Sequence, residues 1–111
     1  MGLDADQVHY DRRGAAAVVT IDRQERRNAV DGATAELLAD AHRRFEEDAD
    51  ARVMVLTGAG AVACCAGAHL KHMRGLLLSG DAEAIRRYIS TMRDLLIRIE
   101  ACEKPVIAAI N

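Results

Sequence analysis

Short apolar runs alternate along the chain with longer segments whose apolar residues recur every three or four positions. Short β-branched or wholly apolar runs bounded by turn residues indicate strands, whereas the longer period indicates amphipathic helices. Four runs show the first pattern, and we expect strands at residues 8–11, 15–22, 52–57 and 106–110. Gly14 separates the first two strands, which predicts a hairpin or a meander.

Three segments have helical periodicity, and we expect helices at residues 31–48, 70–77 and 81–101. Asp31 is a suitable N-cap for the first helix. Pro105 requires the third helix to end before it, because the residue preceding proline leaves the helical region. We expect the apolar stripe of the third helix to pack in the core or in a subunit contact. The residues on the apolar faces are Thr34, Leu37, Leu38, Ala41 and Phe45 on the first helix, and Ile85, Tyr88, Ile89, Met92, Leu95, Leu96 and Ile99 on the third.

The order of these segments, ββαβααβ, predicts an α/β fold. The wholly apolar run at 52–57 suits a strand that is covered on both faces, as in parallel sheets. Residues 23–30 are polar and basic, which predicts a loop. Arg26 and Arg27 beside Glu25 are typical of a short solvated charge run.

Composition narrows the class of protein. Half of the residues are hydrophobic and 29% are charged, which predicts a globular chain. The net charge of −2 and the 3% aromatic content argue against a nucleic-acid binder. No secretory signal or membrane-spanning run is recognisable, so no membrane partner is expected. Three cysteines without such a signal predict reduced thiols and a cytoplasmic location.

The segment from Val53 to Met73 has the most distinctive chemistry. An apolar strand leads into a loop of small residues, and a helix follows. Small side chains let main-chain N–H groups approach a ligand closely, and a helix start adds partial positive charge, so this loop favours something negative. The basic pair Arg26-Arg27 becomes relevant only if the turn at Asn28-Ala29 lies beside this loop, since loops at the ends of parallel strands share one edge of the sheet.

Two other functions for this segment fit the sequence less well. Residues 58–63 match G-x-G-x-x-A, which keeps a nucleotide-binding α/β fragment using Gly58 and Gly60 as an alternative. That motif requires a helix to begin within it, whereas small residues continue to His69. The cluster of Cys64, Cys65, His69 and His72 lacks the spacing of a structural zinc site. We therefore expect no metal.

Four blocks of sequence, in order and at suitable spacing, resemble the enoyl-CoA hydratase/isomerase (crotonase) family. They are VVTIDRQERRNAV at 18–30, VMVLTGAG at 53–60, CCAGAHLKHM at 64–73 and KPVIAAIN at 104–111. The resemblance implies an α/β, crotonase-like superhelical fold of repeated ββα turns. Residues 1–111 would be the N-terminal part of one such domain, ending before its second oxyanion-hole loop.

The resemblance also implies a site for acyl-CoA thioesters, with coenzyme A as part of the substrate and no separate cofactor. The main-chain N–H of Ala68 would be one of two oxyanion-hole donors, which polarise the thioester carbonyl and stabilise an enolate. The main chain of Ala66 would hold the adenine of CoA. The binding residues implied in total are Arg27, Ala29, Ala66, Gly67, Ala68, Leu70 and Lys71. His69 stands where the family has Asp, which predicts poor capping of the following helix.

In a complete enzyme the resemblance implies hydration or isomerisation of enoyl-CoA thioesters, and trimers of complete domains. No acid/base residue that could deliver water and a proton is recognisable in this chain, so we expect little or no activity from it alone. Its apolar strands predict self-association, because open sheet edges promote it. A non-catalytic acyl-CoA-binding or regulatory protein remains an alternative.

Overall fold

The computed structural model describes residues 7–61, 64–67 and 69–110. Each predicted strand and helix is present as the predicted type, and only the ends differ by a few residues. The strands are β1 (Val8–Arg13), β2 (Ala16–Ile21), β3 (Val53–Gly58) and β4 (Val106–Ala109). The helices are α1 (Gly32–Glu47), α2 (Leu70–Ser79) and α3 (Ala82–Ala101).

The four strands form one sheet in the order β1-β2-β3-β4. Strand β1 pairs antiparallel with β2 through the tight turn at Gly14, whereas β2–β3 and β3–β4 are parallel. Parallel neighbours need a crossover, and α1 supplies the first while α2 and α3 supply the second. Ile21 is paired with Gly58 in the register of β2 and β3. The loops that follow these two strands therefore leave the sheet at the same edge.

One face of the sheet holds the core. Ala17, Val19 and Ile21 alternate along β2 and are buried, as the period of a half-buried strand requires. They join Leu38 and Phe45 of α1 in the same apolar cluster. The Asp31 side chain accepts the Thr34 main-chain N–H at 2.9 Å, which confirms Asp31 as the N-cap of α1.

The apolar runs at β3 and β4 are not covered on both faces, contrary to the pattern of 52–57. Met54 is buried against the core, but Ile107 of β4 is 53% exposed and the strand lies at the edge of the sheet. A wholly apolar run shows that a strand can be covered on both faces; whether a covering layer is present depends on the rest of the fold.

The apolar stripe of α3 is divided in the same way. Tyr88 and Leu95 are buried in the core cluster, and Met92 and Ile99 pack partly buried against it. Ile89 and Leu96 are 51% and 61% exposed, so this part of the stripe faces outward. None of the helices in the described ranges combines the length and apolar character needed to cross a bilayer.

Candidate functional site

Two loops meet at the edge where β2 and β3 end. We call residues 22–30 the basic loop and residues 64–69 the small-residue loop. Three main-chain hydrogen bonds join them: Ala66 N–H to Arg27 O at 3.1 Å, Val30 N–H to Gly67 O at 2.7 Å, and His69 N–H to Val30 O at 3.0 Å. The Asn28-Ala29 turn therefore lies beside Ala66-Gly67, which is the condition under which Arg26 and Arg27 become relevant to the small-residue loop.

Asn28 holds the basic loop in its shape. Its Oδ1 accepts the Arg23 main-chain N–H at 2.7 Å, and its Nδ2 donates to the main-chain carbonyl of Ala59 at 3.1 Å. Arg27 and Asn28 both have left-handed φ angles, of 53° and 58°, which asparagine tolerates better than most residues. The Asn28 side chain therefore adds to the main-chain hydrogen bonds inside the turn and ties the basic loop to the chain after β3.

Arg23 belongs to the same loop, and its side chain is also buried. Its guanidinium donates to the main-chain carbonyl of Ala29 and lies 3.2 Å from the Asp31 carboxylate. Arg26 and Arg27 are exposed, as a solvated charge run predicts, whereas Arg23 and Asn28 of the same loop are buried. The sequence pattern did not indicate that Arg23 would turn inward and donate a hydrogen bond to a buried carbonyl group.

Gly58 allows the small-residue loop to return close to β3. A Cβ atom at this position would lie 2.0 Å from the Cys64 carbonyl oxygen and 2.7 Å from Asn28 Nδ2. Such distances are impossible for a side chain, so close main-chain approach explains this glycine without a nucleotide. The first helix after the G-x-G motif begins at Leu70, not within the motif as a dinucleotide site requires.

The residues expected to bind ligand lie in and just after these loops. Arg27, Ala66, Gly67 and Lys71 are exposed, and Leu70 at the first turn of α2 is 81% exposed. Ala29 differs, because its side chain is buried beneath the basic loop and supports it instead of facing solvent. The structure therefore brings Arg27 against Ala66 and places Leu70 and Lys71 on the adjoining helix turn. Ala68, the expected oxyanion-hole donor, lies outside the described residues.

The start of α2 is not capped by a side chain. His69 occupies the N-cap position in an extended conformation and makes no capping hydrogen bond, which confirms the expectation of poor capping. Burial lowers the pKa of His69, and the positive charge of Arg23 lowers it further. The ring is thereby favoured in its neutral form, which does not oppose the positive end of the helix.

Two side chains, one from α3 and one from α2, bond to the end of the basic loop and to the start of α1. Tyr88 Oη donates to the Val30 main-chain carbonyl, and His72 Nε2 accepts the Gly32 N–H at 3.2 Å. The two rings meet edge to face, with centroids 4.9 Å apart. The sequence did not indicate these roles, because each is a single residue on an amphipathic helix and the partners lie about 40 to 60 positions away.

Asp31 is the carboxylate that directly follows the basic loop. Burial raises its pKa, but hydrogen bonds from Thr34 and the charge of Arg23 outweigh burial, so the pKa lies below its ordinary value. Asp31 is therefore ionised and occupied by its partners. Two carboxylates farther along the chain also have partners, since Glu46 pairs with Arg98 and Asp48 accepts from Tyr10.

Known proteins resemble this chain in sequence and in fold. The family model described as enoyl-CoA hydratase/isomerase matches residues 11–111. The short-chain-enoyl-CoA hydratase of Clostridium acetobutylicum is 31% identical over 110 residues, which cover 98% of this chain and 40% of that protein. The mitochondrial Delta(3,5)-Delta(2,4)-dienoyl-CoA isomerase of Rattus norvegicus is 34% identical over 100 residues, covering 84% and 30% of the two chains.

Solved structures agree with these matches. The crystal structure of an enoyl-CoA hydratase/carnithine racemase from Magnetospirillum magneticum superposes with a TM-score of 0.83 at 36% identity, covering 95% of this chain and 39% of that one. An enoyl-CoA hydratase/isomerase from Mycobacterium paratuberculosis gives a TM-score of 0.83 at 29% identity, covering 100% and 43%. The chain thus spans 30–40% of the length of the curated relatives named above.

Proposed function

Because the chain belongs to the enoyl-CoA hydratase/isomerase family, we propose that the edge formed by its basic and small-residue loops binds an acyl-CoA thioester. The observation that supports this proposal most is the main-chain pairing of 27–30 with 66–69. This pairing places cationic side chains on one side of a loop whose main chain is accessible to a ligand. A thioester attached to a phosphate-bearing carrier needs both features at one place.

The small-residue loop would act on the thioester carbonyl. In this proposal the Ala68 N–H donates to the carbonyl oxygen and stabilises the negative charge that develops when an enolate forms. One preorganised donor of this kind contributes about 3–4 kcal/mol to the transition state. Ala66 and Gly67 are exposed beside it, so no large side chain of theirs obstructs the approach of the thioester.

The cations of the site would bind the phosphates of CoA. Arg27 and Lys71 are exposed and lie in the basic loop and on the first turn of α2. Guanidinium groups suit phosphate because they donate two parallel hydrogen bonds. Leu70 would offer apolar contact, Ala66 would bind adenine through its main chain, and Ala29 would shape the groove from beneath the loop.

We expect this chain alone to bind acyl-CoA without converting it. Hydration needs a group that positions water and exchanges a proton. Asp31, the carboxylate next to the paired loops, is ionised and held by Thr34 and Arg23. The full reaction, hydration or isomerisation of an enoyl-CoA through an enolate, would then need groups that the described residues do not place here.

The first experiment follows the conjugated-thioester absorbance of crotonyl-CoA in the presence of the chain, with CoA binding measured calorimetrically on the same sample. Binding without loss of absorbance supports the proposal, and it equally supports the alternative of a non-catalytic acyl-CoA-binding protein. Turnover by the chain alone would refute the expectation of inactivity. Protection from proteolysis by NAD but not by CoA would favour the nucleotide-binding alternative.

Arg27→Gln tests the site itself. We expect it to weaken CoA binding about fivefold, equivalent to about 1 kcal/mol, and to reduce the dependence of binding on salt. Arg86→Gln is the matched control, because Arg86 is an exposed arginine at the start of α3 that pairs only with exposed Glu83 in the described contacts. Equal effects of the two substitutions would show that binding does not involve the basic loop.

Association of the chain with itself is a second part of the proposal. The exposed apolar residues of α3 and the open edge at β4 support it, because such surfaces promote association. Size-exclusion chromatography with light scattering should detect oligomers whose population rises with concentration. A monodisperse monomer that melts cooperatively would contradict this.

A further inference from the structure

A second cluster of reactive side chains lies at the C-terminal half of α1, away from the two loops. His42 is almost fully buried, and neither of its ring nitrogens makes a hydrogen bond of ordinary length and angle among the described residues, although the main chain of Arg98 lies near the ring. The carboxylate oxygen Oε1 of Glu46 is 3.6 Å from His42 Nε2, which is too long for a hydrogen bond. Buried polar atoms are nearly always bonded, so this histidine requires an explanation.

Two further metal-ligating side chains surround His42. Glu46 lies one helical turn later on the same face of α1, and Cys102 is the C-cap residue of α3 with a thiol that forms no disulfide. One ring nitrogen of His42, one carboxylate oxygen of Glu46 and the Cys102 sulfur all lie within 4.8 Å of one another. From this arrangement we propose that His42, Glu46 and Cys102 form a binding site for a divalent, zinc-type metal ion.

The donor set selects the class of metal. Nitrogen, oxygen and sulfur together suit a borderline-soft ion such as Zn²⁺, whereas Mg²⁺ and Ca²⁺ prefer oxygen ligands only. Zinc bonds of about 2.0–2.3 Å place neighbouring ligand atoms about 3.3–3.7 Å apart in a tetrahedron. Ligand atoms within 4.8 Å can reach this spacing by rotation of side chains. Three protein ligands leave a fourth position for water.

Arg98 competes with the metal at this site. Its guanidinium donates to Glu46 Oε1 at 2.8 Å, and half of its side chain is exposed. A cavity of about 230 Å³, lined by His42, Arg98, Thr91 and Asp94 among others, opens beside the cluster. An ion can therefore enter from this side, and the exposed guanidinium can move into solvent as the ion takes its place on Glu46.

Metal binding here would join α1 to the end of α3. The ion would link residues that are distant in sequence, and it would bind the folded chain but not an unfolded one in which the ligands are apart. Such binding raises the melting temperature, and the free energy of unfolding grows with the logarithm of the ion concentration relative to the dissociation constant. The sequence predicts no metal, because no ligand spacing reveals residues that only helix packing brings together.

The test titrates the purified, reduced chain with Co²⁺ as a spectroscopic probe and with Zn²⁺ in calorimetry and thermal melts. To remove the other thiols, we use a Cys64→Ser/Cys65→Ser background beside the unchanged chain. We expect one ion per chain, a thiolate-to-Co²⁺ charge-transfer absorbance in both proteins, and a Zn²⁺-dependent rise in melting temperature. Absence of that absorbance from the Cys64→Ser/Cys65→Ser protein would overturn the proposal.

Substitutions at the cluster identify the ligands. Cys102→Ser and Glu46→Gln should weaken Zn²⁺ binding at least about 10–100-fold, and Cys102→Ser should abolish the absorbance. Both residues are only partly buried, so these variants leave the core in place. Arg98→Gln should tighten Zn²⁺ binding, because it removes a competing cation. Unchanged affinity in Cys102→Ser, or weaker affinity in Arg98→Gln, would show that the ion binds elsewhere.

Discussion

In the basic loop the side chains of Arg23 and Asn28 are buried and hydrogen-bonded to the main chain, whereas the described side chains of the small-residue loop are exposed or half-buried. The small-residue loop is fixed mainly through main-chain bonds to its neighbour. One loop is therefore shaped by its own side chains, and the other takes its position from the first.

The two loops therefore have different roles at the proposed site: one contacts the ligand, and the other supplies the buried contacts that hold both in place. A loop that contacts a large ligand through its main chain must keep its side chains small, so it cannot supply the buried contacts that would fix it. The neighbouring loop supplies them instead. Disruption of the basic loop should therefore disorder both loops, whereas changes to the exposed positions of the small-residue loop should alter only ligand binding.

Gly58→Ala should have the largest effect on this arrangement. The new Cβ would lie 2.0 Å from the Cys64 carbonyl, so the main chain of the small-residue loop must move. We expect the free energy of unfolding to fall by at least about 2–3 kcal/mol in denaturant titrations. Gly75→Ala is the matched control, because nothing lies within 4 Å of its Cβ position in α2. That change should stabilise the chain by about 0.5–1 kcal/mol, and a similar loss from both would contradict the role of Gly58.

Asn28→Ala should have the next largest effect. It removes the bonds to Arg23 N–H and Ala59 O and places a Cβ-bearing residue without side-chain compensation at a left-handed φ. We expect a loss of about 2–3 kcal/mol in the free energy of unfolding. Asn28→Gly removes the same hydrogen bonds, but glycine adopts a left-handed φ without a steric cost. We therefore expect it to be about 1 kcal/mol more stable than Asn28→Ala. If Asn28→Ala were as stable as the unchanged chain, the basic loop would not depend on this side chain.

Asp31→Asn should have a smaller and pH-dependent effect. The pKa of Asp31 in the folded chain lies below the unfolded value near 3.8, so its stabilising contribution is present above that pH and is lost as the pH falls through the folded pKa. Asparagine keeps the N-cap but not the charge opposite Arg23. We expect a loss of roughly 0.5–1 kcal/mol at pH 7 and a flatter stability curve below pH 5. A variant curve that is parallel to the original down to pH 2 would contradict this.

His69→Asp should have the smallest effect and the opposite sign. Aspartate can accept a main-chain N–H at the start of α2, and its negative charge interacts favourably with the helix dipole. We therefore expect the free energy of unfolding to rise by about 0.5–1 kcal/mol in thermal or chemical denaturation. His69→Asn supplies the cap without the charge and separates the two contributions. Loss of stability in both variants would mean that His69 contributes packing that capping does not replace.

Local patterns were enough to predict every described strand and α-helix, because each has a clear period or a short apolar run and end signals such as Asp31 and Pro105, but they did not predict the 3-10 turn at Gln24–Arg26. The meeting of the two loops was also predictable, since it follows from parallel strands that end at one edge. The inward turn of Arg23 was not predictable, because its reason is a carbonyl of Ala29 that the fold buries. Similarly, the periodicity of α3 could not show that Ile89 and Leu96 of its stripe would stay exposed.

The topology of the sheet has a kinetic consequence. Strands β1 and β2 are joined by a tight turn, but β3 can pair with β2 only after α1 has crossed the sheet. Closing so long a connection costs entropy before the contact forms, so the hairpin should assemble early and the parallel pair late. The two loops meet only when that pair has closed. A ligand at this edge therefore binds only chains that have completed this late step, and its binding would slow their unfolding.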